Sequence, residues 1–206
     1  MSQATKTSTA AMKRTMKYCV STPNRGLFLK PTGKWDGSKD FEFTIDGISD
    51  SEYAKDESRK SVNGWTVLVQ EAPVVMKSKS IPIVALYITE AELYSATLCA
   101  QDMLFVMRIM NSMGLKVKLP VKFTIDNSGA DDLIHNWSIG GRTRHIEVKQ
   151  YFLRELNEAG IIETVWESAD NMTSDVLTKN LAGPAYDKHN SKFVGMDEYM
   201  KRRMKD

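Results

Sequence analysis

Cysteine is nearly absent from this chain. Cys19 and Cys99 are the only two in 206 residues, and neither stands in a CxxC or Cys/His spacing. A zinc ribbon and a disulfide framework are both excluded, and both thiols are expected in a core. Histidine is scarce too: His135, His145 and His189 lie too far apart to form a local metal pair. No run of eighteen apolar residues occurs, and the polar start (Ser2, Gln3, Thr5, Lys6) lacks the apolar core of a secretory signal. The expectation is a soluble, intracellular chain with no membrane partner. Excess charge of one sign is missing as well, since 28 basic and 26 acidic side chains leave a net +2. That balance hides an asymmetry. Residues 1–40 carry eight Lys/Arg against two Asp, and the remainder carries 20 against 24. A basic arm on an acidic body fits a protein that holds a polyanion with one part and cations with the other, and it equally fits a solvated basic tail.

With 42% hydrophobic residues the chain can bury one substantial core. Residues 8–19 have the spacing of a short basic amphipathic helix ending before Pro23, and Pro31 to Asp40 reads as a linker. Phe41, Phe43 and Ile45 alternate with polar residues in a strand that runs to Asp50. Trp65–Val69 and Val74–Met76 predict two more strands in an antiparallel meander. A long helix is expected from Thr89 to about Met113, with Leu93, Ala96, Ala100, Met103, Met107 and Met110 on one stripe. Val121–Ile125 is a fourth strand, followed by a short helix that Asn127 or Ser128 caps. A basic amphipathic segment, Arg142 to Ala159, precedes a fifth strand at Ile161–Trp166 and a last helix at Met172–Lys179. The order predicts an α/β fold with a mixed five-stranded sheet, three antiparallel strands then two more, and flanking helices. The expected organisation is a basic connector over 1–40, a catalytic domain over 41–181 and a basic tail over 182–206.

Four acids stand where predicted strands end or helices begin: Asp50, Glu92, Asp126 and Asp175. If the first and fourth strands are neighbours, Asp50 and Asp126 project from one edge, where open α/β sheets place their ligands, and two more carboxylates arrive from helices. Hard oxygen ligands without Cys or His select Mg²⁺, with Mn²⁺ as substitute. Two such ions suit phosphodiester hydrolysis. Each acid has a plainer reading. Thr89-Glu-Ala-Glu92 matches a capping box. Glu90 and Asp175 fit the acidic first turn of a helix, and Asp126 fits a helix cap. Arg142, Arg144 and His145 form a candidate phosphate-facing cluster, against the alternative of a surface or helix-terminus histidine. Lys77, Lys79, Trp65 and Tyr94 are candidates for flanking a nucleic-acid groove, although aromatics at such positions are usually core.

Taken in order, these segments resemble the ribonuclease H domain of copia-type LTR retrotransposon polyproteins. Ile48-Ser-Asp-Ser-Glu-Tyr-Ala54 looks like that family's Y-S-D-A-D-W-A. Arg59-Lys-Ser61 with Gly64-Trp65 looks like R-K-S-x-x-G-[YF]. Lys77-Ser-Lys79 through Thr89-Glu-Ala-Glu-Leu93 looks like S-K-K-Q-P-x-V-A-L-S-S-T-E-A-E-Y. Asp126-Asn127 resembles C-D-N, Arg142-Thr-Arg-His-Ile-Glu147 resembles A-R-T-K-H-I-D, Tyr151-Phe-Leu-Arg-Glu155 resembles Y-H-F-I-R-E, and Asp175-Val-Leu-Thr-Lys179 resembles A-D-I-F-T-K. Ala11 through Leu27 is similar to the end of the family's reverse transcriptase, while the polymerase Tyr-x-Asp-Asp signature is absent. The chain departs from the pattern at Glu52, Tyr53 and Lys55.

The resemblance implies a ribonuclease H-like fold and cleavage of the RNA strand of RNA/DNA hybrids during reverse transcription. Two Mg²⁺ ions on Asp50, Glu92, Asp126 and Asp175, with Glu92 rather than Glu90 as ligand, would do the chemistry. It implies substrate contacts from Arg142, Arg144, His145 and Lys79, the hybrid and the polyprotein's reverse transcriptase as partners, and a cytoplasmic setting within virus-like particles. The rival readings are a non-catalytic ribonuclease H-like module that binds nucleic acid or braces a polymerase, and a nuclease or transposase acting on DNA.

Overall fold

Period-two alternation builds the central strand until it meets the acids. Along Ile45–Glu52 (β2) the pattern holds at first, with Ile45 and Gly47 buried and their neighbours half-buried, and then Ser49, Asp50 and Ser51 are all buried. Such a break means that both faces of the strand are covered at that end, which is costly for polar side chains unless they are partnered. The computed structural model describes residues 5–193 apart from 24, 25, 28, 30, 55–58, 83 and 136–146. It divides the chain into two units.

The helix α1 (Lys6–Ser21) belongs to the smaller unit. Thr5 and Ser8 close a reciprocal capping box at its start, with Ser8 N–H donating to Thr5 Oγ1 at 3.1 Å and Thr5 N–H to Ser8 Oγ at 2.9 Å. The helix buries none of its residues, and Cys19 on it is exposed. The expectation of two core thiols is therefore corrected for Cys19, which is exposed on a helix with no buried residue among those described. Cys99 is fully buried, with its thiol toward the Ile48 carbonyl.

The larger unit spans Leu29–Phe193, against the 41–181 expected. Pro31–Asp40 packs on it rather than bridging to it. Thr32 N–H donates to the Gln70 carbonyl at 2.9 Å, and the Trp35 ring sits 5.9 Å from that of Phe43. At the other end α6 (Gly183–Asn190) begins with a proline in its first turn, and Phe193 beyond it is 1% exposed.

After a short strand β1 (Glu42–Phe43) come β2, β3 (Val62–Val69) and β4 (Ala72–Ser80). The long helix α2 (Ile88–Ser112), β5 (Lys116–Val117), β6 (Val121–Ile125), α3 (Ser128–His135), α4 (Glu147–Glu158), β7 (Ile162–Trp166) and α5 (Asp175–Thr178) follow. The main sheet has the order β4-β3-β2-β6-β7. β2–β3 and β3–β4 are antiparallel, and β2–β6 and β6–β7 are parallel. This is the mixed five-stranded α/β architecture expected from the sequence. A second sheet pairs β1 with β5.

All six residues of the expected α2 stripe are buried, packed in one cluster with Ile45, Trp65, Val67 and Phe123 of the sheet. The last turn of α3 is closed by Arg154 from α4. Arg154 is 2% exposed, and its guanidinium donates to the Leu133 and Ile134 carbonyls at 2.6 and 3.2 Å. Opposite α2, α5 rests on β3 at Gly64. A Cβ there would meet Thr178 Cγ2 at 2.6 Å, Leu177 Cβ at 2.7 Å and the Leu177 backbone carbonyl carbon at 3.2 Å, so only glycine admits this helix. Gly64→Ala is expected to cost roughly 1–3 kcal/mol, the usual range for overpacking, and to push α5 off the sheet. Chemical denaturation measures the loss, and an unchanged midpoint would show that α5 seats elsewhere.

Candidate active site

The parallel pairing of β2 with β6 matches Ile48 to Thr124, so Asp50, within β2, and Asp126, just past the end of β6, each stand two residues beyond that pair and fall level at the same edge. Nothing in helix capping claims Asp126, because Asn127 does that work: its Oδ1 accepts the Ala130 N–H at 2.8 Å. The capping-box reading of Glu92 is likewise corrected. The N-cap of α2 is Tyr87, without a side-chain bond, and it is Glu90 that turns back, its Oε2 accepting the Leu86 N–H at 2.7 Å. Glu92 is left to point at the sheet edge, where Ser51 Oγ donates to its Oε1 at 2.8 Å. Carboxylate oxygens of Asp50, Glu92 and Asp126 lie within 4.8 Å of one another. Asp50 and Glu92 are buried and Asp126 is half-buried.

Asp175 opens α5 and lies outside that three-residue group. It is tied to the group through Lys179, one helical turn on, whose Nζ is 2.8 Å from Asp175 Oδ1 and 3.3 Å from Asp50 Oδ1. Thr178 Oγ1 donates to the other oxygen of Asp50. Ser51, Thr178 and Lys179 were not singled out in the sequence as site residues. The i,i+4 spacing of Asp175 and Lys179 on a predicted helix was the available signal for the last.

Crowding three acids at a partly dry edge costs free energy whenever all are ionised. Burial and the neighbouring Asp50 charge raise the Asp126 carboxyl to about 6. Burial, followed by the Asp50 and Asp126 charges, raises Glu92 well above the usual carboxylate range, against the Ser51 hydrogen bond. Asp175 is raised by burial against its bond to Lys179. Burial alone would lower Lys179, but its bond to Asp175 and the charges of Asp50 and Asp175 together raise it. The site therefore favours cations, and Lys179 already provides one. An all-oxygen donor set fits a hard divalent ion such as Mg²⁺ or Mn²⁺.

The remaining sequence candidates fare differently. Arg142, Arg144 and His145 lie outside the described residues. Lys79 is exposed on β4. Trp65 is a core residue at 3% exposure, donating from Nε1 to Asp102 at 2.7 Å, and Lys77 is held by the same Asp102 at 2.8 Å and lies over the Trp65 ring. Tyr94 is half-buried beneath Lys149.

No protein-family model matches the chain. Among curated proteins, the retrovirus-related Pol polyprotein from transposon RE1 of Arabidopsis thaliana is 30% identical over 183 residues, 88% of this chain and 12% of that polyprotein. That from transposon TNT 1-94 of Nicotiana tabacum is 31% identical over 136 residues, 66% of this chain and 10% of the polyprotein. The chain is homologous to copia-type Pol polyproteins. It spans 12% of the length of the RE1 relative, and its main sheet has the mixed five-stranded order described above, with flanking helices. Similar solved structures include the N-terminal RNase H domain of a Mycobacterium tuberculosis protein, with TM-score 0.47 and 11% identity over 73% of this chain and 98% of that one. An RNase H1 isolated from compost has TM-score 0.48 and 12% identity over 71% and 96%. Among the described residues, no helix of this copia Pol relative is long and apolar enough to cross a membrane.

Proposed function

We propose that the chain is a metal-dependent ribonuclease H that cleaves the RNA strand of RNA/DNA hybrids during reverse transcription. The observation that carries this reading is the convergence of Asp50, Glu92 and Asp126 to within 4.8 Å. Asp50 and Asp126 would hold both ions, Glu92 completing one site and Asp175 the other. When bound, Mg²⁺ or Mn²⁺ would neutralise the acids, lower the pKa of a coordinated water and offset charge on the phosphate. The chain's own part is placement. Ser51 fixes the Glu92 carboxylate, Thr178 fixes that of Asp50, and Lys179 screens Asp50 and Asp175. The hybrid is the substrate this reading favours, because 2′-hydroxyls in a wide minor groove distinguish RNA from DNA. Lys79, Arg142, Arg144 and His145 would contact its backbone. The stretch before Leu29 would join the domain to the reverse transcriptase of the same polyprotein, the stretch after Phe193 would be its tail, and the setting would be cytoplasmic, in virus-like particles.

The test is direct. The purified chain with Mg²⁺ should cut a labelled hybrid, spare duplex DNA, and stop in chelator. One observation favours a non-catalytic, nucleic-acid-binding module instead: Lys179 already neutralises two of the four acids. Calorimetric Mn²⁺ titration separates the two, since the module would bind no ion.

A further inference from the structure

A cleft of about 370 Å³ opens beside the acids, on the sheet face that carries α5 and α6. Three of its lining residues stand two positions before three of the acids: Ile48 before Asp50, Thr124 before Asp126 and Thr173 before Asp175. On β2 and β6 a spacing of two keeps the same face, and at a rise of about 3.3 Å per residue it sets the cleft roughly 6–7 Å along the strands from the carboxylates. That distance is comparable to the separation of successive phosphates in one nucleic-acid strand.

The lining is basic. Lys122 comes from β6, Lys188 from α6, and Lys192 follows that helix. Lys188 also donates to the Asp170 carbonyl and to Asn171. His189 closes the floor at 5% exposure. The one carboxylate in the lining, Glu167, accepts from Asn171 and the Ser168 N–H, at 2.9 and 3.3 Å, and also feels the charges of Lys122 and Lys192, so the lining keeps a net excess of two positive charges. Thr173 is the telling residue: it is 1% exposed, lines the cleft, and its Oγ1 has no hydrogen-bond partner. A buried hydroxyl left unpaired costs about 1–3 kcal/mol, a cost that a bound acceptor would remove. Three lysines against one carboxylate in the lining, together with an unpaired hydroxyl, favour an oxyanion.

We infer that this cleft binds a backbone phosphate of the cleaved strand, next to the scissile one, and so sets which phosphodiester reaches the acids. Its ligand rests on the hybrid reading above, but its recognition of an anion does not.

The experiment measures affinity for a labelled RNA/DNA hybrid in chelator as salt is varied, using the full chain. Lys188→Ala/Lys192→Ala should weaken binding about tenfold or more near 0.1 M salt and reduce the slope of log affinity against log salt by nearly 2, one counterion step per lost contact. Thr173→Val should weaken binding with the slope unchanged. Calorimetric Mn²⁺ binding should survive in the lysine variant. If that variant loses no more than Lys116→Ala/Lys118→Ala, and Thr173→Val loses nothing, the cleft is no phosphate site. Should low-millimolar inorganic phosphate erase the difference between wild type and variant, a free phosphate is the ligand and the strand assignment falls. Absent Mn²⁺ binding alongside intact lysine effects would sink the nuclease reading alone. Normal hybrid cleavage with no lysine effect would sink only this one.

Discussion

Asp126→Asn is expected to reduce hybrid cleavage by at least about a thousandfold while leaving the fold intact or firmer. The size follows from what a metal site contributes, several kcal/mol of transition-state stabilisation at 1.36 kcal/mol per tenfold. Asparagine keeps the shape of the side chain, and Asn127 still caps α3, so nothing local collapses. The Asp126 charge sits near Glu92 and Asp50 and raises Glu92. Removing it relieves repulsion, so the metal-free melting temperature at pH 7 should hold or rise while Mn²⁺ affinity drops. A variant that cuts the hybrid at wild-type rate would remove Asp126 from the chemistry. A variant that melts early in chelator would show that the acid is structural instead.

The second large effect is a stability that falls with rising pH until a divalent ion is added. Asp126 has a folded pKa of about 6, above its ordinary 3.8, and Glu92 is displaced the same way. The unfolded chain therefore gives up these protons first as pH rises. Between about pH 4 and 6 for Asp126, and in the same direction for Glu92, it binds fewer protons than the native state and the native state loses ground. Lys179, raised rather than lowered, keeps its full contribution through neutral pH and loses it only on the alkaline side. In chelator the protein should melt a few degrees lower at pH 7.5 than at pH 5, since about 1 kcal/mol moves a domain of this size by roughly 2–4 °C. Millimolar Mg²⁺ or Mn²⁺ should reverse the order, because the ions bind the ionised acids. Lys179→Met should steepen the drop and enlarge the rescue, since it strips a partner from Asp50 and Asp175. Melting temperatures indifferent to pH and to metal, in both proteins, would mean that the acids are not electrostatically coupled.

The strands and the long helix were legible because their patterns are local. Val121–Ile125 alternates apolar Val, Phe and Ile with Lys122 and Thr124 between Pro120 and Asp126, and the α2 stripe repeats at helical spacing under a sheet that buries every member of it. Lys179 was less legible. Its spacing from Asp175 predicts a helical ion pair, but its reach to Asp50 spans 129 positions of sequence, and no window contains both. Cys19 went against expectation for a related reason: hydrophobicity states a preference for burial, and only a neighbouring surface can satisfy it.

By itself the sequence determined which residue types were available, the main strands and the long helix, and that four acids stand in or beside those elements. Tertiary structure alone decided that three of those acids meet, that Thr178 of α5 and Lys179 just after it clasp Asp50, and that Thr173 lines a basic cleft. The reason is physical. Periodicity is set by backbone geometry within a few residues, whereas the cost of gathering like charges is met by partners brought from distant segments through sheet register and the close approach that Gly64 permits.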